Sequence, residues 1–122
     1  GPDEKPLFWV SSSKRDLLAM PGPVVRALGI ALGVAQYGAK HPAAKPWKGE
    51  GPGIFEVVSN FDGNTFRAVY TVRLPQAVYV LHCFHKKSPS GVRTARTDVD
   101  LINARLRLAH ADYEVRYGKA DR

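Results

Sequence analysis

The chain has 122 residues, 44% of them hydrophobic and 24% charged; this is enough for one modest core and excludes a disordered chain. The formal net charge is +7, which favours polyanionic partners such as nucleic acid or an acidic protein. Cys83 is the only cysteine, which excludes an intramolecular disulfide, and the longest apolar stretch, Ala27 to Tyr37, is too short to span a bilayer.

A cytoplasmic protein with no membrane association is therefore expected, as a single domain over residues 3–122, with Gly1-Pro2 read as the remnant of a cleaved tag. Lys5 to Val10 reads as a short strand, with Pro6 placing it at an edge or a strand end. Ser11, Ser12 and Ser13 offer N-caps for a helix through Lys14 to Met20, which Pro21-Gly22-Pro23 breaks. Pro23 suits the first turn of a second helix, running to about Tyr37. There Val24, Leu28, Ala31, Leu32 and Ala35 recur at three- and four-residue spacing, so one face is apolar. Gly29 and Gly33 weaken that helix by roughly 1 kcal/mol each relative to alanine, which predicts close packing against a neighbour.

Ala39 to Gly53 is expected to be a basic loop, carrying Lys40, His41, Lys45, Trp47 and Lys48. A strand follows from Ile54 to Ser59, then a turn with an Asp62-Gly63 hairpin signal, then a strand from Thr65 to about Arg73. Leu74-Pro75-Gln76 turns the chain into a fourth strand, Ala77 to about Lys87. Ser88 to Arg96 is a basic loop, Thr94 or Thr97 is the expected cap, and a last helix runs from about Arg96 to His110 before a polar tail that frays. The resulting fold class is α+β, in the order β-α-α-β-β-β-α. Two N-terminal helices pack on one face of a mostly antiparallel twisted sheet, and a helix closes the chain.

Alternation along the third strand separates Phe66, Ala68, Tyr70 and Val72, a core set, from Thr65, Arg67, Val69, Thr71 and Arg73, a half-polar surface. Glu56 falls on the Arg67 side. The pair reads either as a cross-strand ion pair worth ~0.2–1 kcal/mol or as part of a phosphate site. Arginine suits phosphate because its planar fork donates two parallel hydrogen bonds and stays charged. Lys86 and Lys87 end the fourth strand and, with Arg93 and Arg96, put four cations into eleven residues without an acid, a plausible phosphate patch as well as a solvated edge. His82 and His85, three apart in a strand, point to opposite faces and do not share a metal ion, although either suits proton transfer. Cys83 reads as core, and Trp9 and Trp47 as packing residues, Trp47 being the better candidate for base stacking. A bulge in the fourth strand, where Val80, Leu81, Cys83 and Phe84 are apolar on both sides, would change which cations share the Arg67 surface. The chain carries no P-loop, no dinucleotide-binding glycine pattern, no His-Glu-x-x-His and no nucleophile elbow, so no cofactor and no metal site is expected.

Lys45-Pro-Trp-Lys-Gly, Phe55-Glu-Val, Phe66-Arg-Ala-Val-Tyr-Thr-Val, Val80-Leu-His-Cys-Phe-His-Lys-Lys-Ser and a terminal helix opening near Thr94 follow one another over about Lys5 to Leu108. In that order and spacing they resemble the RelE-like toxins of bacterial toxin–antitoxin pairs, in particular their HigB-like, phage-associated branch. The resemblance implies a small toxin that enters the ribosomal A site, cleaves mRNA there and inhibits translation. It also implies a helix-turn-helix antitoxin as partner. Residue by residue, Arg67 matches the strand arginine at the scissile phosphate, Lys87 and then Lys86 the basic end of the fourth strand, and Lys48 a basic residue at the entry to the second. Glu56 stands where some relatives carry lysine, and Arg93 or a neighbour where some carry tyrosine. The implied chemistry is metal-free attack of a ribose 2′-hydroxyl on the adjacent phosphate. Arg67 and Lys87 would stabilise charge, Glu56, His82 or His85 would move protons, and Lys45, Lys48, Lys86, Arg73, Arg93 and Arg96 would hold RNA. Three other readings stay open: a ParE-like gyrase inhibitor on the same scaffold, a non-catalytic RNA-binding domain, and a phage host-interaction protein.

Overall fold

The computed structural model describes residues 3–49, 53–86 and 95–119. Its elements are β1 (Leu7–Trp9), α1 (Ser13–Leu18), α2 (Gly22–Gln36), β2 (Ala44–Pro46), β3 (Ile54–Phe61), β4 (Asn64–Thr71), β5 (Val78–Lys86) and α3 (Arg96–Tyr117). The strands form one five-stranded sheet in the order β1-β5-β4-β3-β2. All neighbours are antiparallel except β1 and β5, which run parallel, with Phe8 beside Tyr79. The expected loop over Ala39 to Gly53 therefore holds a strand. Lys45 pairs with Glu56 and Pro46 with Phe55, and the pairing continues as Trp47 N–H donates to the Ile54 carbonyl at 2.8 Å. Pro46 is tolerated there because β2 is an edge strand.

The β3–β4 hairpin closes as the Asp62-Gly63 signal requires. Both residues have positive φ, 52° and 77°, which is the twist of a type I′ turn. Alternation then gives the sheet two apolar faces. On one, Phe66, Ala68, Tyr70, Val78, Val80 and Cys83 meet Val24, Leu28, Ala31, Leu32 and Ala35 of α2, with Leu17 of α1. On the other, Val69, Tyr79, Leu81 and Phe84 meet Ile102, Ala109 and Tyr113 of α3. Each fully buried leucine contributes on the order of 1.5–3 kcal/mol. The β4 face expected to be a half-polar surface is thus in part a second core: Val69 and Thr71 are buried, and Thr71 Oγ1 accepts from the Tyr79 amide at 3.0 Å.

Three further expectations are corrected. α3 runs to Tyr117 instead of fraying after Ala111. Tertiary contacts hold its last turns: Tyr79 Oη donates to Asp112 at 2.6 Å, and the Gln76 amide donates to Tyr113 Oη at 3.2 Å. Its N-cap position is Ala95, without a side-chain cap; Thr97 lies inside the helix and Thr94 outside the described residues. Gly29 and Gly33 do not serve close packing, since a β-carbon on either would meet nothing within 4 Å. Among the described residues no helix is long and apolar enough to cross a membrane.

Candidate nucleic-acid interface

The register of β5 against β4 builds the site. His82 sits opposite Val69, but Tyr70 sits opposite Val80, so Leu81 is an extra residue, a β-bulge. Leu81 and His82 both turn to the α3 face, and from there on the even-numbered residues, His82, Phe84 and Lys86, share that face with Arg67. The bulge carbonyl is not left bare. Arg105 of α3, only 8% exposed, donates from Nη1 to the Leu81 carbonyl at 3.1 Å and from Nη2 to Ser12 Oγ at 2.9 Å. Ser12 Oγ in turn donates to Asp16 at 2.7 Å. Nothing in the sequence marked Arg105 for this, since an arginine at the margin of a helix's apolar face ordinarily reads as solvated.

With this register, four adjacent strands each place one charged residue on the same face. Lys45 of β2 lies opposite Glu56 of β3, Arg67 of β4 lies one diagonal step on, and Lys86 of β5 lies opposite Thr65, the next position of that face. At the usual strand spacing the row spans roughly 14 Å. Arg67 Nη1 donates to Glu56 Oε1 in a short ion pair, with the two side chains 11% and 7% exposed. The Arg67 Nε is buried and has no hydrogen-bond partner among the described residues. Burial holds the Lys86 ammonium below its ordinary pKa, and the charges of Arg67 and Lys45 push the same way; Glu56 pulls it back. Lys45 is exposed and Lys86 half-buried.

The two histidines part company. His85 lies on the opposite face and stacks on Phe66, ring centroids 4.9 Å apart. His82 is buried, stacks on Phe84 at 4.5 Å, and its Nε2 lies 2.8 Å from Asp98 in the first turn of α3. Burial, more than any charge, lowers its pKa, and the Asp98 hydrogen bond opposes this. Its Nδ1 is buried without a partner among the described residues, so a second proton there would have no acceptor. Cys83 is buried on the α2 face, and burial pushes its thiol up to about 12.

The remaining basic candidates do not join the row. Arg73 lies beyond the far end of β4, exposed, with its stem against Gly53. Arg96 is exposed and pairs with Asp100 at 3.1 Å along α3. Lys48 is exposed just past β2, next to Trp47. Trp47 itself is buried in the α3-side core and not available for stacking; a β-carbon on Gly49 would come within 2.6 Å of its Nε1, which explains glycine there. Lys87 and Arg93 lie outside the described residues.

Comparison with known proteins gave one family. The model of a family described as phage-derived protein Gp49-like (DUF891) matches residues 15–107. Neither curated proteins nor solved structures gave a match. The matched span runs from the start of α1 to the middle of α3 and contains the whole charged row.

Proposed function

Because this chain belongs to the Gp49-like family of phage-derived proteins, within the RelE/ParE-like toxin superfamily, we propose that it is the toxin of a toxin–antitoxin pair and a ribonuclease acting on mRNA at the ribosome. The observation that supports this best is the row Lys45, Glu56, Arg67 and Lys86: three cations and one carboxylate, one residue from each of four adjacent strands. In this reading Glu56 takes the proton of a ribose 2′-hydroxyl. The freed O2′ attacks the neighbouring phosphorus, and the bond from phosphorus to O5′ breaks. Arg67 and Lys86 stabilise the charge that gathers on the non-bridging oxygens, where donors held in place act at full strength. A proton returned to O5′ completes the reaction, leaving a 2′,3′-cyclic phosphate and a 5′-hydroxyl. Lys45 extends the cationic track along the backbone, and Lys87 and Arg93 belong to the same proposal from sequence alone. His82, tied to Asp98 and buried, serves in this reading as an anchor for α3 instead of a proton carrier. The antitoxin would be the protein partner.

Induction of the chain in a bacterial host, with 5′ ends of cellular mRNA mapped, tests this. Arg67→Lys is the control, since it keeps the charge but removes the planar fork. Growth arrest with new 5′ ends inside translated frames, lost in the variant, is the expected result. Arrest with broken DNA and intact mRNA would replace the proposal with gyrase inhibition.

A further inference from the structure

Arg67 is not vacant in the free protein: Glu56 already holds its guanidinium. We propose that Glu56 is a resident stand-in for the substrate phosphate, and that a phosphodiester binds by taking Arg67 from Glu56, whose carboxylate passes to Lys45. This inference rests on the phosphate-site reading above and adds how that site is kept and opened.

Three observations carry it. First, the pair satisfies the arginine incompletely. Nη1 is used, while Nε is sealed from water and unpartnered among the described residues. A buried donor left unmade is costly, and a guanidinium is best met by two oxygens in its own plane. A phosphodiester brings two such non-bridging oxygens, so the exchange relieves a donor that the carboxylate leaves bare. Second, the displaced carboxylate has somewhere to go. Lys45 is its register partner across β2 and β3, and lies on the same face at an edge strand. Third, the charges are unbalanced in the substrate's favour. Lys86 stands on the far side of Arg67 from Glu56 and feels Arg67, Glu56 and Lys45 together. A phosphate on Arg67 therefore has Lys86 on one side and the Glu56–Lys45 pair on the other, with the Glu56 carboxylate next to it, where a base is needed.

The test is titration of isotope-labelled protein with inorganic phosphate and with an oligonucleotide carrying 2′-deoxyribose throughout, which cannot be cleaved by this chemistry. In the wild type, the Arg67 Nε–H resonance and the Glu56 carboxyl carbon resonance are expected to move together, with one saturation midpoint. In Glu56→Gln, which removes the competing charge, binding tightens by roughly tenfold, the equivalent of one net charge-assisted hydrogen bond. Movement of Arg67 with Glu56 unmoved overturns the exchange, as does unchanged or weaker binding in a folded Glu56→Gln protein. No response of Arg67 to either probe overturns both the exchange and the phosphate-site reading. An exchange seen in solution, with no cleavage on translating ribosomes, keeps this inference and removes the ribonuclease. The wild-type resonances decide the matter even where the Gln variant fails to fold.

Discussion

Replacing Arg105 by methionine keeps the aliphatic stem in α3 and deletes the guanidinium that spans the bulge and the start of α1. Two contacts go, to the Leu81 carbonyl at 3.1 Å and to Ser12 Oγ at 2.9 Å. Hydrogen bonds from a charged donor are each worth about 1.5–3 kcal/mol, and the Leu81 carbonyl would lose its side-chain donor. Removing a buried guanidinium also returns part of its desolvation penalty, which brings the expected net loss to about 2–4 kcal/mol. For a domain of this length that corresponds to a fall in Tm of roughly 8–16 °C. Urea and thermal unfolding of the two proteins measure it. Ser12→Ala removes one of the two partners, together with the Ser12–Asp16 hydrogen bond, and is expected to cost about 1.5–3 kcal/mol. The Arg105→Met protein should also bind phosphate more weakly although Arg105 is not in the charged row, because the bulge decides that Lys86 shares a face with Arg67. A loss within about 0.5 kcal/mol, or a gain, would refute the idea that Arg105 holds the bulge.

Three further outcomes are expected. Gly29→Ala and Gly33→Ala each stabilise the protein by about 0.5–1 kcal/mol in chemical denaturation, because a β-carbon at either site meets open space within a helix; a loss at either would mean that the glycine has a packing role after all. The folded pKa of His82 lies below its ordinary 6.5, so the unfolded chain binds the proton more readily, and stability falls as pH drops below about 6.5. His82→Gln should flatten that part of a Tm-against-pH curve, and an unchanged slope would assign the effect to other groups. Cys83, buried and with its thiol raised to about 12, should resist a thiol-reactive dye in native buffer at pH 8 and react fully in denaturant; fast native labelling would contradict its place under α2.

Local rules made much of the scaffold readable. The spacing of Val24, Leu28, Ala31, Leu32 and Ala35 marks the buried stripe of α2, and all five are buried. Asp62-Gly63 marks a two-residue hairpin because both positions take positive φ. Alternation along β4 puts Arg67 and, through the hairpin register, Glu56 on one face. Two elements were not readable for a shared reason: long-range contacts hold them. β2, with the sequence Ala-Lys-Pro, has no strand-like composition and exists because β3 offers it an edge. The last turns of α3 are polar and exposed on most sides, and are anchored by Tyr79 and Gln76, more than thirty positions earlier in the chain.

What the sequence by itself determined is the set of charged side chains and which face of β3 and β4 each takes, since side-chain direction in a strand follows from the two-residue period alone. Which face Lys86 takes was open, because β5 is apolar on both sides over Val80 to Phe84 and either register buries the same kind of residue. Only the tertiary structure decided it. Helices cover both faces of the sheet, the extra residue Leu81 is absorbed as a bulge, and a buried arginine from α3 meets its carbonyl. A one-residue slip reverses every side chain beyond it, so that single bulge brings the cation at the end of β5 onto the surface where Arg67 and Glu56 already stand.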